Sequence, residues 1–202
     1  RFAVAFNNNG NGVRGDLLAV LKAVLLDTEA RQHHDEAEGF GKLREPLIRL
    51  TQLWRAFNLD TDTYAFWNPE FGLLQAPLRS PSVFNFYSPD YSPAGTDLLA
   101  PEFQILTDSA VTSTTNQLLA VAEGDAWNTI AELDTELAES LSNDLDRLID
   151  FIDLLLLQGK MSLGLRAQLS SHWSTHGDVS EAERLRDLIF LVVSSAEFAI
   201  QQ

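Results

Sequence analysis

The sequence predicts an all-α fold, an irregular helical bundle with a long ordered Pro/aromatic loop, and three observations predict it. Apolar residues recur at helical spacing over most of the length. Capping chemistry marks several starts, at Asp16, at Ser162, and at Ser180 with Glu183 following it. Leu78 to Gly95, by contrast, alternates aromatics with proline and small polar residues and keeps no helical period, so it reads as an ordered connection.

In chain order, Phe2 to Phe6 is a short apolar patch running into Asn7-Asn8-Asn9-Gly10-Asn11-Gly12, a loop because Asn and Gly tolerate positive φ. Asp16 then caps a helix carrying Leu17, Leu18, Leu21, Val24 and Leu25 to about Arg31. The polar stretch Gln32 to Gly41, with His33-His34-Asp35-Glu36, reads as an exposed connection. A second helix is expected from about Lys42 to Asn58, with Leu43, Leu47, Leu50, Trp54 and Phe57 on its stripe, Arg44, Arg49 and Arg55 elsewhere, and Pro46 near its first turn. Asp60 and Asp62 mark a turn, Tyr64, Phe66 and Trp67 are core candidates, and Pro69 to Leu74 suits one or two helical turns.

Beyond the loop, Ala100-Pro101-Glu102 opens a helix that Phe103, Leu106, Ala110, Val111 and Leu118 carry to about Ala122. Gly124 to Asp134, with Trp127, Ile130 and Leu133, fits a helical stripe or a short extended piece. From Asn143 to Leu157, Leu145, Leu148, Ile149, Ile152, Leu155 and Leu156 cover much of the helix surface, which places that helix at the centre of the bundle, with Gly159 as its stop. Ser162 caps the next helix, through Leu165, Leu169 and Trp173 to Gly177. Ser180 and Glu183 start the last long one on Leu185, Leu188, Ile189, Val192 and Val193, and Phe198 and Ile200 pin the C-terminus. With no repeat and no long polar linker, a single helical domain over residues 1–202 is expected.

A chain of 202 residues buries roughly 70% of its unfolded surface, enough for a self-sufficient core. Its 14 basic against 29 acidic residues leave a formal charge of −15, which opposes nucleic acid and anionic membrane surfaces as partners. No apolar run approaches the roughly 20 residues of a membrane span. The absence of cysteine excludes a disulfide framework, a thiolate nucleophile and Cys-ligated zinc. Because the chain opens on Arg1 without a basic-then-apolar leader, it reads as a processed form or a piece of a longer protein.

Several letter patterns resemble familiar sites but fail on context. Gly10-x-Gly12-x-x-Gly15 with Asp35 has the spelling of a dinucleotide fingerprint, yet that site needs a strand entering the first glycine and another carrying the acid. Asn7-x-Asn9-x-Asn11-Gly12 begins like a calcium loop but offers amides in place of carboxylates, and Leu18 where the bidentate Glu belongs. His172 and His176 share a helix face without a third ligand or a neighbouring Glu base. Around Gly159-Lys160-Met161-Ser162-Leu163-Gly164 the spacing is wrong for a nucleophile elbow, and Ser162 serves better as a cap. No metal site, no cofactor and no catalytic residue is assigned from these patterns.

The Pro/aromatic loop offers Arg79, Asn85, Tyr87, Asp90 and Tyr91 as candidate ligand-binding residues, interleaved with Val83, Phe84 and Phe86. Aromatic rings with hydroxyl tips suit sugars or peptides. The competing use is to plug the helical core, since a long internal connection must bury something to stay ordered.

This loop also carries a resemblance. Arg79-Ser80-Pro81-Ser82-Val83-Phe84-Asn85-Phe86-Tyr87-Ser88-Pro89-Asp90-Tyr91-Ser92-Pro93-Ala94-Gly95 and Ala100-Pro101-Glu102-Phe103-Gln104 resemble the C-terminal part of a bacterial family catalogued as domain of unknown function 1800. Arg14-Gly15-Asp16-Leu17, Lys42-Leu43-Arg44-Glu45-Pro46-Leu47, Leu154-Leu155-Leu156-Leu157-Gln158-Gly159-Lys160-Met161-Ser162 and Ser195-Ala196-Glu197-Phe198 are similar in kind, so the resemblance spans nearly the whole chain. It implies the C-terminal part of a longer, exported protein of the periplasm, envelope or extracellular space, of a family often found beside a sulfatase-like partner. Ala196 stands where the family commonly has proline. The family supplies no catalytic residues to carry over. The expected function is therefore a structural or interaction module binding a protein or glycan. The alternative is part of an envelope or extracellular hydrolase whose other groups lie in an N-terminal portion.

Overall fold

Capping side chains and apolar stripes place most of the expected helix starts where the sequence puts them in the computed structural model, which describes residues 1–28, 41–61, 68–126 and 129–201. The stretch holding His33, His34, Asp35 and Glu36 lies outside the described residues, as do Tyr64, Phe66, Trp67 and Trp127. By internal packing the chain divides into two units, Arg1–Phe40 and Gly41–Gln202.

In the first unit, α1 (Phe2–Asn7) and α2 (Leu17–Leu25) flank the asparagine-rich loop. The loop is held by its own amides. Asn8 Oδ1 accepts from the Gly10 and Gly12 N–H groups at 2.9 and 2.8 Å, and Asn9 Oδ1 accepts from Asn11 at 2.9 Å. Asn9 Nδ2 donates to Asp16 at 2.7 Å, and Asp16 accepts from the Leu18 and Ala19 N–H groups to cap α2. The bond from Asn9 first, then that from Ala19, holds the Asp16 carboxyl below the usual aspartate range. None of the described residues of this unit is buried, and Leu17, Leu18, Leu21 and Leu25 stand exposed.

The second unit runs β1 (Lys42–Leu43), α3 (Pro46–Ala56), β2 (Asp60–Thr61), α4 (Pro69–Leu73), a 3₁₀ turn (Pro101–Ile105), α5 (Asp108–Glu123), β3 (Asp125–Ala126), β4 (Thr129–Glu132), α6 (Glu136–Ser140), α7 (Leu145–Ile152) continued by a π turn (Asp153–Leu157), α8 (Leu163–Thr175), α9 (Glu181–Ser194), α10 (Ala196–Ala199) and β5 (Ile200–Gln201). The fold is all-α, its strands being short staples: β1 pairs antiparallel with β5, and β2, β4 and β3 make a second small sheet.

Two expected helices start later than their spacing suggests. Lys42 and Leu43 are strand, paired with Gln201 and Ile200, because a residue before proline avoids helical geometry and Pro46 occupies the first helical turn. Downstream, the helix expected from Pro101 is interrupted. Leu106 and Thr107 separate the 3₁₀ turn from α5, and the Thr107 side chain caps α5 by accepting from the Ala110 N–H at 3.2 Å. At the predicted caps, Ser162 Oγ accepts from the Leu165 N–H at 3.1 Å, and Ser180 and Glu183 form a reciprocal capping box.

The core joins Leu50, Leu53 and Phe57 of α3, Leu118 and Val121 of α5, Leu148, Ile149 and Ile152 of α7, Leu169 of α8, and Leu188, Ile189, Val192 and Val193 of α9. α7 and its π turn thus reach the centre as expected. They share it with α9, which packs on α5, α6, α8 and α10. Phe198 is fully buried, and β5 just after it pairs with β1, so both pin the C-terminus. The largest surprise is charge: Arg44 and Arg49, placed off the apolar stripe by sequence spacing, are both buried. Among the described residues no helix is long and apolar enough to cross a membrane.

Candidate functional site

From 77 to 109 no residue is buried. The Pro/aromatic loop therefore does not plug the core, which the leucines and valines of α3, α5, α7 and α9 already fill. A segment without a backbone ladder must leave its peptide groups near water, and here they are met by turns. Ser82 and Asn85 form a bridge, the Phe84 N–H donates to Ser82 Oγ at 3.1 Å, and the Tyr91 N–H donates to Ser88 O at 3.2 Å. The Ala100 N–H reaches back to Tyr91 O at 3.0 Å, and the Ser88 N–H donates to Gln104 Oε1 at 2.6 Å.

What anchors the loop is a polar node. Tyr87 Oη donates to Glu45 Oε1 at 3.0 Å, and Gln75 Nε2 donates to the other oxygen, Glu45 Oε2. Burial first, then the hydrogen bond to Glu45, pushes the Tyr87 phenol above its ordinary range. Beside this node lies a cavity of about 270 Å³ lined by Glu45, Leu47, Gln75, Ala76, Pro77, Leu78, Ser80, Asn85 and Phe86. Gln75 is buried, and its Oε1 accepts no hydrogen bond among the described residues.

Of the candidates, Asn85 and Tyr87 meet at this node, and Asn85 lines the cavity in a left-handed turn at φ 71°. Arg79 is drawn away to pair with Glu70 of α4. Asp90 is exposed, and Tyr91 is half-buried beside its own turn. Spacing singles out neither Glu45 nor Gln75. For Glu45 the signal present was its position before Pro46, where extended backbone is favoured.

Apolar display accompanies the node. Leu78 and Val83 are 104% and 94% exposed and Phe84 67%. Leu74 and Leu78 both hold left-handed backbone, at φ 53° and 60°, a conformation that costs a bulky residue about 1–3 kcal/mol. That strain is placed where the segment leaves α4 and turns to show its side chains.

The remaining patterns resolve into structural contacts. A helix, not a strand, precedes Gly10. His172 stacks on His176 at 4.1 Å and its Nε2 sits 2.9 Å from Asp187 Oδ2, joining α8 to α9. The Ser162 hydroxyl donates to Glu197 at 2.5 Å while capping α8. No trio of His, Asp or Glu among the described residues is arranged to hold a metal ion.

A family profile described as "Protein of unknown function (DUF1800)" matches residues 1–200, and the chain belongs to that family. No curated protein and no solved structure matches it.

Proposed function

We propose that this family member is a structural or interaction module of an exported bacterial protein, and that its Pro/aromatic loop docks a protein or glycan. The observation that carries the reading is the display of Leu78, Val83 and Phe84 on a loop fastened at Tyr87, Arg79 and Ser88. Exposed apolar side chains on a pre-organised segment favour association, because little ordering remains to oppose it. Between the two partner classes the display favours protein. A glycan site draws on aromatic hydroxyl tips, and that of Tyr87 is already taken by Glu45.

The hydrolase alternative calls for a pocket gathering Arg79, Asp90 and further carboxylates. The cavity beside the loop contains neither of those two residues, and both oxygens of Glu45 are engaged. The experiment is a pull-down from native envelope with this chain, as wild type and as Val83→Ser/Phe84→Ser. Loss of a wild-type partner from the double variant supports docking through the loop. Recovery of the same partners by both forms removes it.

A further inference from the structure

One residue before Glu45, Arg44 lines two other cavities, of about 220 and 440 Å³. Gln158 belongs to both walls, Lys160 borders the first and Arg55 the second. Arg44 is only 8% exposed, lies 5.6 Å from the centroid of the Phe198 ring and donates to the Phe198 carbonyl at 2.6 Å. Nearby Arg49, 7% exposed, donates to Val193 O at 2.9 Å, and its Nε has no partner among the described residues. Neither guanidinium is paired with a carboxylate among the described residues.

This is an unusual electrostatic arrangement in so acidic a chain. Burial depresses both arginines, and Arg44 adds repulsion to Arg49, so two like charges are held in the same neighbourhood. The carbonyls they hold, at the C-terminal ends of α9 and α10, bring only partial negative charge. A buried cation is otherwise stabilised by a full counter-charge. Glu197, the one acid among the described residues of either cavity wall, accepts from the Ser162 N–H and Oγ at 2.9 and 2.5 Å. Gln158, common to both walls, is the left-handed residue at φ 61° that ends the π turn, its N–H held by the Asp153 carbonyl.

We propose that this cleft binds an oxyanion group, a carboxylate, sulfate or phosphate borne by a small molecule. Arg44 is the buried anchor, since a guanidinium matches oxyanion geometry and is already positioned by the Phe198 ring and carbonyl. Gln158 adds a neutral amide, and the exposed Lys160 and Arg55 attract the anion from solvent.

The test is thermal denaturation of the whole chain titrated with sodium acetate, sulfate or phosphate, against sodium chloride at matched ionic strength. A saturable rise in Tm is expected for at least one of the three oxyanions and not for chloride, and the strongest of the three identifies the group. Lys160→Gln/Arg55→Gln changes only exposed side chains and is expected to weaken the apparent affinity roughly tenfold. Arg44→Met is expected to abolish the saturable rise. If Arg44→Met does not fold, the double variant decides the question. The proposal is overturned if no oxyanion raises Tm, if the rise follows ionic strength whatever the anion, or if the double variant keeps wild-type affinity.

Discussion

Arg44 and Glu45 are neighbours in the chain with opposite electrostatic fates. Both oxygens of Glu45 are occupied, by Tyr87 and Gln75, and the result is a fastened loop. Arg44 is more deeply buried, holds a single carbonyl, and opens onto two cavities while pairing with no carboxylate among the described residues. The difference teaches that a satisfied charge builds structure, whereas a buried charge left short of a partner is poised to take one from solution.

The comparison breaks most sharply at its apolar foundation. Phe198 is fully buried and carries Arg44 across its ring, so Phe198→Ala should cost about 3–5 kcal/mol in denaturant unfolding and disturb the Arg44 side more than the loop. Next comes Glu45→Ala, which strands the donors of Tyr87 and Gln75. A loss of about 1–3 kcal/mol is expected, with faster proteolysis between Leu78 and Gly95, and Glu45→Gln should recover part of it.

Tyr87→Phe removes one bond of the node and should cost about 1 kcal/mol. It also carries a pH test. The phenol's folded pKa is raised by burial and by Glu45, so its stabilisation is fully present below the ordinary value of about 10 and is lost as pH rises through the higher folded value. An alkaline loosening of the loop, followed by tyrosinate absorbance and proteolysis, should be present in wild type and absent in the variant. The smallest stability effect belongs to Val83→Ser, within about 0.5 kcal/mol because the side chain is exposed. A larger loss in thermal unfolding would mean that Val83 is packed rather than displayed.

Legibility in the sequence followed the range of the interaction. Asp16, Ser162 and the Ser180/Glu183 box were readable because a cap bonds to backbone two or three residues away. The stripe of α2 was readable as a helix, yet Leu17 and Leu21 are exposed, since periodicity reports a face without saying what covers it. Charge misled in the same way. Arg44 and Arg49 look like surface residues until carbonyls at Phe198 and Val193, far along the chain, take their protons' hydrogen bonds. For the candidate site, composition picked out the segment and included Asn85 and Tyr87, but Gln75 has no local pattern to mark it.

The sequence by itself determined the all-α class, most of the helix starts it predicted, and the presence of one aperiodic Pro/aromatic segment. Those depend on local backbone chemistry and on spacing along one strand of chain. Only the tertiary structure decided that this segment lies on the surface, that Glu45 holds it, and that Arg44 ends buried beside two cavities. Burial and pairing are properties of which distant residues arrive at the same place, here Ile200 opposite Leu43 and Phe198 against Arg44.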